Sequence, residues 1–156
     1  MKILMGMLLF LCYFNCNACT CIGIISVIKE VEASDIIVCG KVISENIFTV
    51  KEWRNKKKLE QIEYKISISK IFKGSNSTDT LRIVTGTGSG DCGVKFLVGK
   101  KYIIYAQYRN KYFEQGEPVK QFYYTDICTR TQLFNKNEAK EISRCVKRSR
   151  RKLGGY

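Results

Sequence analysis

Hydrophobic and polar positions along the chain change period several times, and each change predicts an element. Ile24, Val27, Ile28 and Val31 recur at helical spacing, which predicts a short helix over Ile24–Ala33. Ser34 and Asp35 end that pattern, and Asp35–Thr49 is rich in Ile and Val, as suits a long strand. The polar run Glu52–Lys58 reads as an exposed hairpin loop. Beyond it Ile62, Tyr64, Ile66 and Ile68 alternate strictly with Glu63, Lys65, Ser67 and Ser69. Period two means a strand with one wet face and one buried face, here closing at Lys73-Gly74.

A third strand is expected over Thr80–Thr85, a fourth over Tyr102–Tyr108 after the Gly99-Lys100 turn, and a short fifth over Gln121–Thr125. Gly116 and Pro118, the chain's one proline, mark a turn before the fifth. Asn135, with Glu138 three residues on, resembles a capping box and opens a second helix to about Lys147. The remaining basic stretch, Lys147–Lys152 within residues 147–156, reads as a disordered tail. Five strands between two helices predict a mainly β fold. A five-stranded antiparallel Greek-key barrel of the OB type fits the count, and a sandwich fits the strand signals equally.

The first residues follow another logic. Lys2, the apolar run Ile3–Phe14 and the small or polar Asn15–Ala18 are laid out as a secretory signal peptide over residues 1–18. The run is short for a membrane-spanning helix. Cleavage after Ala18 leaves one domain, residues 19–146, beginning at Cys19 and expected outside the cell. Of eight cysteines, Cys12 and Cys16 leave with the signal. Cys19, Cys21, Cys39, Cys92, Cys128 and Cys145 remain, an even set that in an exported chain reads as up to three disulfides of open connectivity. Cys39 sits in an apolar run, where a buried free thiol is the alternative. A second reading of Cys16-Asn17-Ala18-Cys19 is a bacterial lipoprotein site, with a lipid anchor on Cys19.

Charge and composition narrow the function. The formal net charge is +13, which favours anionic surfaces, and for an exported chain heparin-like or other acidic polysaccharide more than nucleic acid. There is no histidine. Ser–His and Cys–His catalysis and imidazole zinc sites are thereby excluded, and no Asp/Glu pair stands in a catalytic motif. The chain is read as a non-enzyme, a monomer without a cofactor of its own. Gly86–Asp91 lacks the Lys-Ser/Thr of a phosphate loop and is read as a mobile loop. Asn76-Ser77-Thr78 is a turn and, in a eukaryote, a glycosylation sequon.

At a processed N-terminus, Cys19-Thr20-Cys21 carries more meaning than a bare CxC pair. The α-amino group titrates at about 7.7–8.0, so part of it is neutral at pH 7. Together with the carbonyl oxygen of Cys19 it can close a five-membered chelate on one metal ion. A catalytic zinc keeps an open position for such donors, and displacing its water removes the nucleophile.

This start resembles that of the tissue inhibitors of metalloproteinases, in their N-terminal, netrin-like domain. Ala33–Val38 with Gly40-Lys41-Val42 resembles the family's first strand, and Ile71-Phe72-Lys73-Gly74 the end of its second. Cys92-Gly93-Val94, Gly99–Ile104 and Cys128-Thr129-Arg130-Thr131 resemble later segments, as in single-domain forms from invertebrates and bacteria. The resemblance implies an OB-type barrel, disulfides Cys19–Cys92 and Cys21–Cys128, and a zinc metalloprotease partner whose metal meets the backbone N and O of Cys19. It places Thr20 in the protease's S1′ pocket, Ile22 along the primed side, and Gly90 and Asp91 beside the wedge. The family's third cysteine precedes the Ser-Asp step, where this chain has Glu32; Cys39 follows it instead, so a Cys39–Cys145 bond is the corresponding expectation. Gly23 stands where vertebrate members carry proline, which implies a looser wedge. Netrin-like barrels also serve as matrix-binding modules, the competing reading.

Overall fold

The computed structural model describes Cys19, Cys21, Gly23 and residues 25–51, 58–112 and 121–153. Residues 1–18, read above as a signal peptide, Thr20, Ile22, Ile24, residues 52–57, read as a hairpin loop, and residues 113–120, which include the expected turn at Gly116 and Pro118, lie outside the described residues.

Helix α1 spans Val27–Ala33 and is followed by strands β1 (Ile36–Lys51), β2 (Lys58–Lys73), β3 (Thr80–Gly86), β4 (Lys101–Arg109), β5 (Phe122–Tyr124) and β6 (Gln132–Leu133), then helix α2 (Lys136–Leu153). β1 and β2 form a long antiparallel hairpin, from Ile37 opposite Lys73 to Lys51 opposite Lys58. β2 pairs with β3, β3 with β5, β5 with β4, and β4 returns to β1, so five strands close a ring. The fold is the expected mainly β, OB-type barrel with a short first helix and a C-terminal one. The β3–β5 pair is parallel, through Ile83–Tyr123 and Val84–Tyr124. The two-residue β6 extends β4 beyond the ring; its Gln-Leu pair carries no alternation and was not legible as a strand.

The pleat of β1 and β4 separates two cores. Ile36, Val38, Tyr102, Ile104 and Ala106 point into the barrel with Tyr64, Ile66, Ile83 and Phe96. Ile37, Cys39, Ile103 and Tyr105 point outward and are covered by Val27 and Val31 of α1 and Ile142 and Cys145 of α2. Ile36–Gly40 of β1 and Tyr102–Ala106 of β4 are therefore buried on both faces and read as apolar runs, whereas β2 alternates. Inside the barrel Phe96 meets Tyr64 and Tyr102 edge-on, at centroid distances of 4.9 and 4.8 Å.

Three sequence expectations are corrected. α1 begins at Val27 because Ser26 caps it, its hydroxyl accepting from Lys29 N–H at 3.4 Å. Val27 and Val31 alone of the described apolar positions face the core, and Ile28 is half exposed. The basic stretch from Lys147, expected to be disordered, continues α2 to Leu153, since it keeps helical spacing and holds no breaker before Gly154. Cys39 and Cys145 are not bonded to each other; both are buried free thiols that pack as small apolar groups in the outer core. Burial pushes the Cys145 thiol above its usual range.

Lys73 ties the hairpin to α1. Its ammonium donates to the carbonyls of Val31 (2.6 Å), Glu32 (3.2 Å) and Ser34 (2.6 Å), closing the C-terminal end of the helix. Asn76 spends its amide on the turn, donating to the carbonyls of Thr78 (2.5 Å) and Thr80 (3.0 Å).

Candidate functional site: the doubly fastened N-terminal segment

Cys19 is bonded to Cys92 and Cys21 to Cys128, bridges that span 73 and 107 residues of chain. Each anchors the segment to a different loop. Cys92 follows the glycine-rich turn after β3, and Cys128 lies between β5 and β6. The loops are themselves joined, because Ile127 N–H donates to the Cys92 carbonyl at 2.9 Å. Thr20 stands in sequence between two fixed cysteines. A cavity of about 330 Å³ opens beside the segment between Cys21, Gly23, Ile25 and the Ile127–Gln132 stretch. Gly23 takes φ +69°, a left-handed turn open to glycine without strain, and its N–H donates to the Cys21 carbonyl at 2.9 Å.

Asp91 organises the first loop. Its carboxylate accepts from the N–H groups of Thr87 (2.6 Å), Gly88 (2.7 Å) and Gly93 (3.3 Å) and from the Thr87 hydroxyl. Partial burial pushes its pKa up, but these donors favour the anion and hold the carboxyl below its usual range. The stretch read as a mobile glycine loop is thus a turn wrapped around one carboxylate. Cys92 itself takes φ +59°. Gly93 lies so close to Gly86 that a Cβ would sit 2.0 Å from the Gly86 carbonyl oxygen. Gly90 and Asp91 are both exposed on this loop, next to the Cys19–Cys92 bridge.

The second loop is held by side chains whose roles sequence spacing does not reveal. Thr125 Oγ1 donates to the Tyr105 carbonyl at 2.8 Å and lies within hydrogen-bond distance of the Thr129 and Thr131 hydroxyls. Arg130 places Nε and Nη2 on the two oxygens of Glu138, each at 2.7 Å, and Nη1 on the Ile25 carbonyl at 2.8 Å. Glu138 also accepts from the buried Tyr105 hydroxyl at 2.7 Å. Burial raises the Glu138 pKa, and the Arg130 and Tyr105 donors more than reverse that shift. Asn135 does cap α2, accepting from Asn137 and Glu138 N–H at 2.8 and 3.3 Å. Glu138 does not return the bond as a capping box would; its carboxylate turns to Arg130. The Asn-to-Glu spacing flagged this residue, but its partner, eight positions upstream, left no periodic signal.

Among the described residues, no group of three or more His, Cys, Asp or Glu side chains is gathered to hold a metal. No described helix is long and apolar enough to cross a membrane. What the structure does show is a segment fixed to the barrel at two points, Cys19 and Cys21.

A search of curated proteins finds no match to the chain. Among protein families, residues 17–133 match the tissue inhibitor of metalloproteinase family. That span takes in both bridged cysteine pairs and all six strands and ends at Leu133, before α2. With well over half its length inside the match, the chain belongs to the tissue inhibitor of metalloproteinase family.

Proposed function

We propose that the chain is exported, loses residues 1–18, and inhibits a zinc metalloprotease through its new N-terminus. The α-amino nitrogen and the carbonyl oxygen of Cys19 chelate the partner's catalytic zinc and displace the water that would attack substrate. Thr20 enters the pocket beside the metal and selects by its size, Ile22 follows along the groove, and Gly90 and Asp91 border the contact.

One observation carries this reading: both neighbours of Thr20 are bonded to loops that are hydrogen-bonded to each other. A tripeptide fixed in this way loses little freedom on binding, so more of its contact energy appears as affinity. Family membership supplies the partner class, and the disulfides suit an oxidising compartment.

The test is inhibition of a zinc metalloprotease by three forms of the protein: one starting at Cys19, one with an alanine added before it, and one acetylated on the amine. The first is expected to inhibit and the other two to lose at least about a hundredfold, the loss of a metal bond being worth several kcal/mol. Equal inhibition by all three overturns the chelation.

A further inference from the structure

A groove lies between α2 and the end of β2. There a cavity of about 710 Å³ has an apolar floor of Ile71, Phe72 and Val146. Its cationic rim is Lys70, Lys147 and Arg151, and among the described residues no carboxylate lines it. Lys70 Nζ stands 4.7 Å from the centre of the Phe72 ring.

The rim continues along the helix. Lys136, Lys140, Arg144, Lys147 and Arg151 follow one another at steps of four, four, three and four residues, which places them on one face, and all five are exposed. At 1.5 Å per residue the row runs about 22 Å. α2 carries two carboxylates: Glu138 is buried against Arg130, and Glu141 flanks the row. α2 also lies beyond the stretch that matches the family.

We propose that this groove binds a sulfated polysaccharide, independently of any inhibition at the N-terminus. A linear row of cations fits a linear polyanion. The apolar floor suits the C–H faces of sugar rings, while Lys70 on the opposite wall holds the chain from the other side. A flat anionic membrane would meet the crest of α2 but leave the recessed floor and Lys70 unused.

The test measures binding of heparin fragments to the full mature protein over a range of salt, beside vesicles of anionic phospholipid. Lys147→Gln with Arg151→Gln, and separately Lys70→Gln, are compared with Lys58→Gln plus Lys65→Gln, which removes the same charge as the first pair from the far part of β2. Loss of about five- to tenfold in the helix pair, a smaller loss for Lys70→Gln, and under about twofold in the control pair is expected. Equal losses in the two pairs would mean that net charge alone binds, and would overturn the site. So would vesicle binding without heparin binding. Lys70→Gln leaves α2 untouched, so it reports on the groove even if the helix substitutions disturb folding.

Discussion

Arg130 grips Glu138 through two parallel hydrogen bonds of 2.7 Å and uses its remaining terminal nitrogen to hold the Ile25 carbonyl, just after the N-terminal segment. One guanidinium therefore links α2, the Cys128 loop and the chain leading away from Cys21. A lysine has the charge but not the fork. The Glu138 side chain is 8 % exposed and that of Arg130 23 %. Removing the arginine leaves a carboxylate with little access to water.

Arg130→Met is accordingly expected to destabilise the fold by about 2–3 kcal/mol, below the range for a wholly buried pair because the arginine is partly solvated. Arg130→Lys should recover part of that stability but not the hold on Ile25. In the inhibition assay the lysine variant should weaken binding more than its melting temperature alone suggests. A variant that melts lower yet inhibits as well as the parent would confine Arg130 to a structural role.

Much of this was legible beforehand, and the reason differs by element. β2 is wet on one face, so its alternation appeared directly in Ile62, Tyr64 and Ile66. Ile36–Gly40 of β1 and Tyr102–Ala106 of β4 lie under helices on one side and line the barrel on the other, so only their apolar runs showed. The N-terminal cysteines were visible through their place in the chain. Arg130, Thr125 and the loop-holding role of Asp91, which was named only as a neighbour of the wedge, were not, because each acts through a bond whose partner is set by folding rather than by spacing. α2 was cut short because a dense run of like charge resembles a tail; the apolar positions Ile142, Cys145 and Val146 bring the helix onto the barrel, and the charge then lies along its outer face.

Acid should unfold the protein through named carboxylates. Glu138 and Asp91 both titrate lower when folded than when unfolded. Their stabilisation is complete above the unfolded values near 4.5 and 3.8 and fades as pH falls through the folded ones. Glu30 has the opposite sign. Burial raises its pKa despite the Ser34 hydroxyl and Arg130, so its contribution is largest below 4.5 and is lost as pH rises through the folded value. Denaturant melts from pH 3 to 8 are expected to show a flatter acid limb for Glu138→Gln. Glu30→Gln should gain stability relative to the parent as pH rises. The reverse pattern would mean that these carboxyls are not the groups that matter.

The Asp91 carboxylate substitutes for water at three backbone N–H groups in the loop that carries Cys92. Asp91→Ala should cost about 1–2 kcal/mol, the scale of charged hydrogen bonds on an exposed loop. Asp91→Asn keeps one acceptor and should cost less. Hydrogen exchange at Thr87, Gly88 and Gly93 is the direct readout. Faster exchange confined to these amides is expected for the alanine variant, and unchanged protection would show that the disulfide alone holds the turn.

The two bridges differ in what their loss should do. Cys21–Cys128 closes a span of 107 residues, nearly the whole barrel, and Cys19–Cys92 one of 73. By chain entropy each stabilises the fold by about 4.5 kcal/mol, with little difference between them because the dependence on length is logarithmic. Replacing either pair by serines should therefore lower stability to a similar degree. Function should separate them. Without the Cys21–Cys128 bond, the first bridge still holds Cys19 to its loop, and the Gly23 turn alone connects it to the rest. Without the Cys19–Cys92 bond, the amine itself is released from the barrel. The second variant is expected to lose inhibition almost completely while remaining folded at low temperature, and the first to retain a measurable part. Equal inhibition from both variants at matched stability would show that fastening Cys19 contributes nothing beyond the fold.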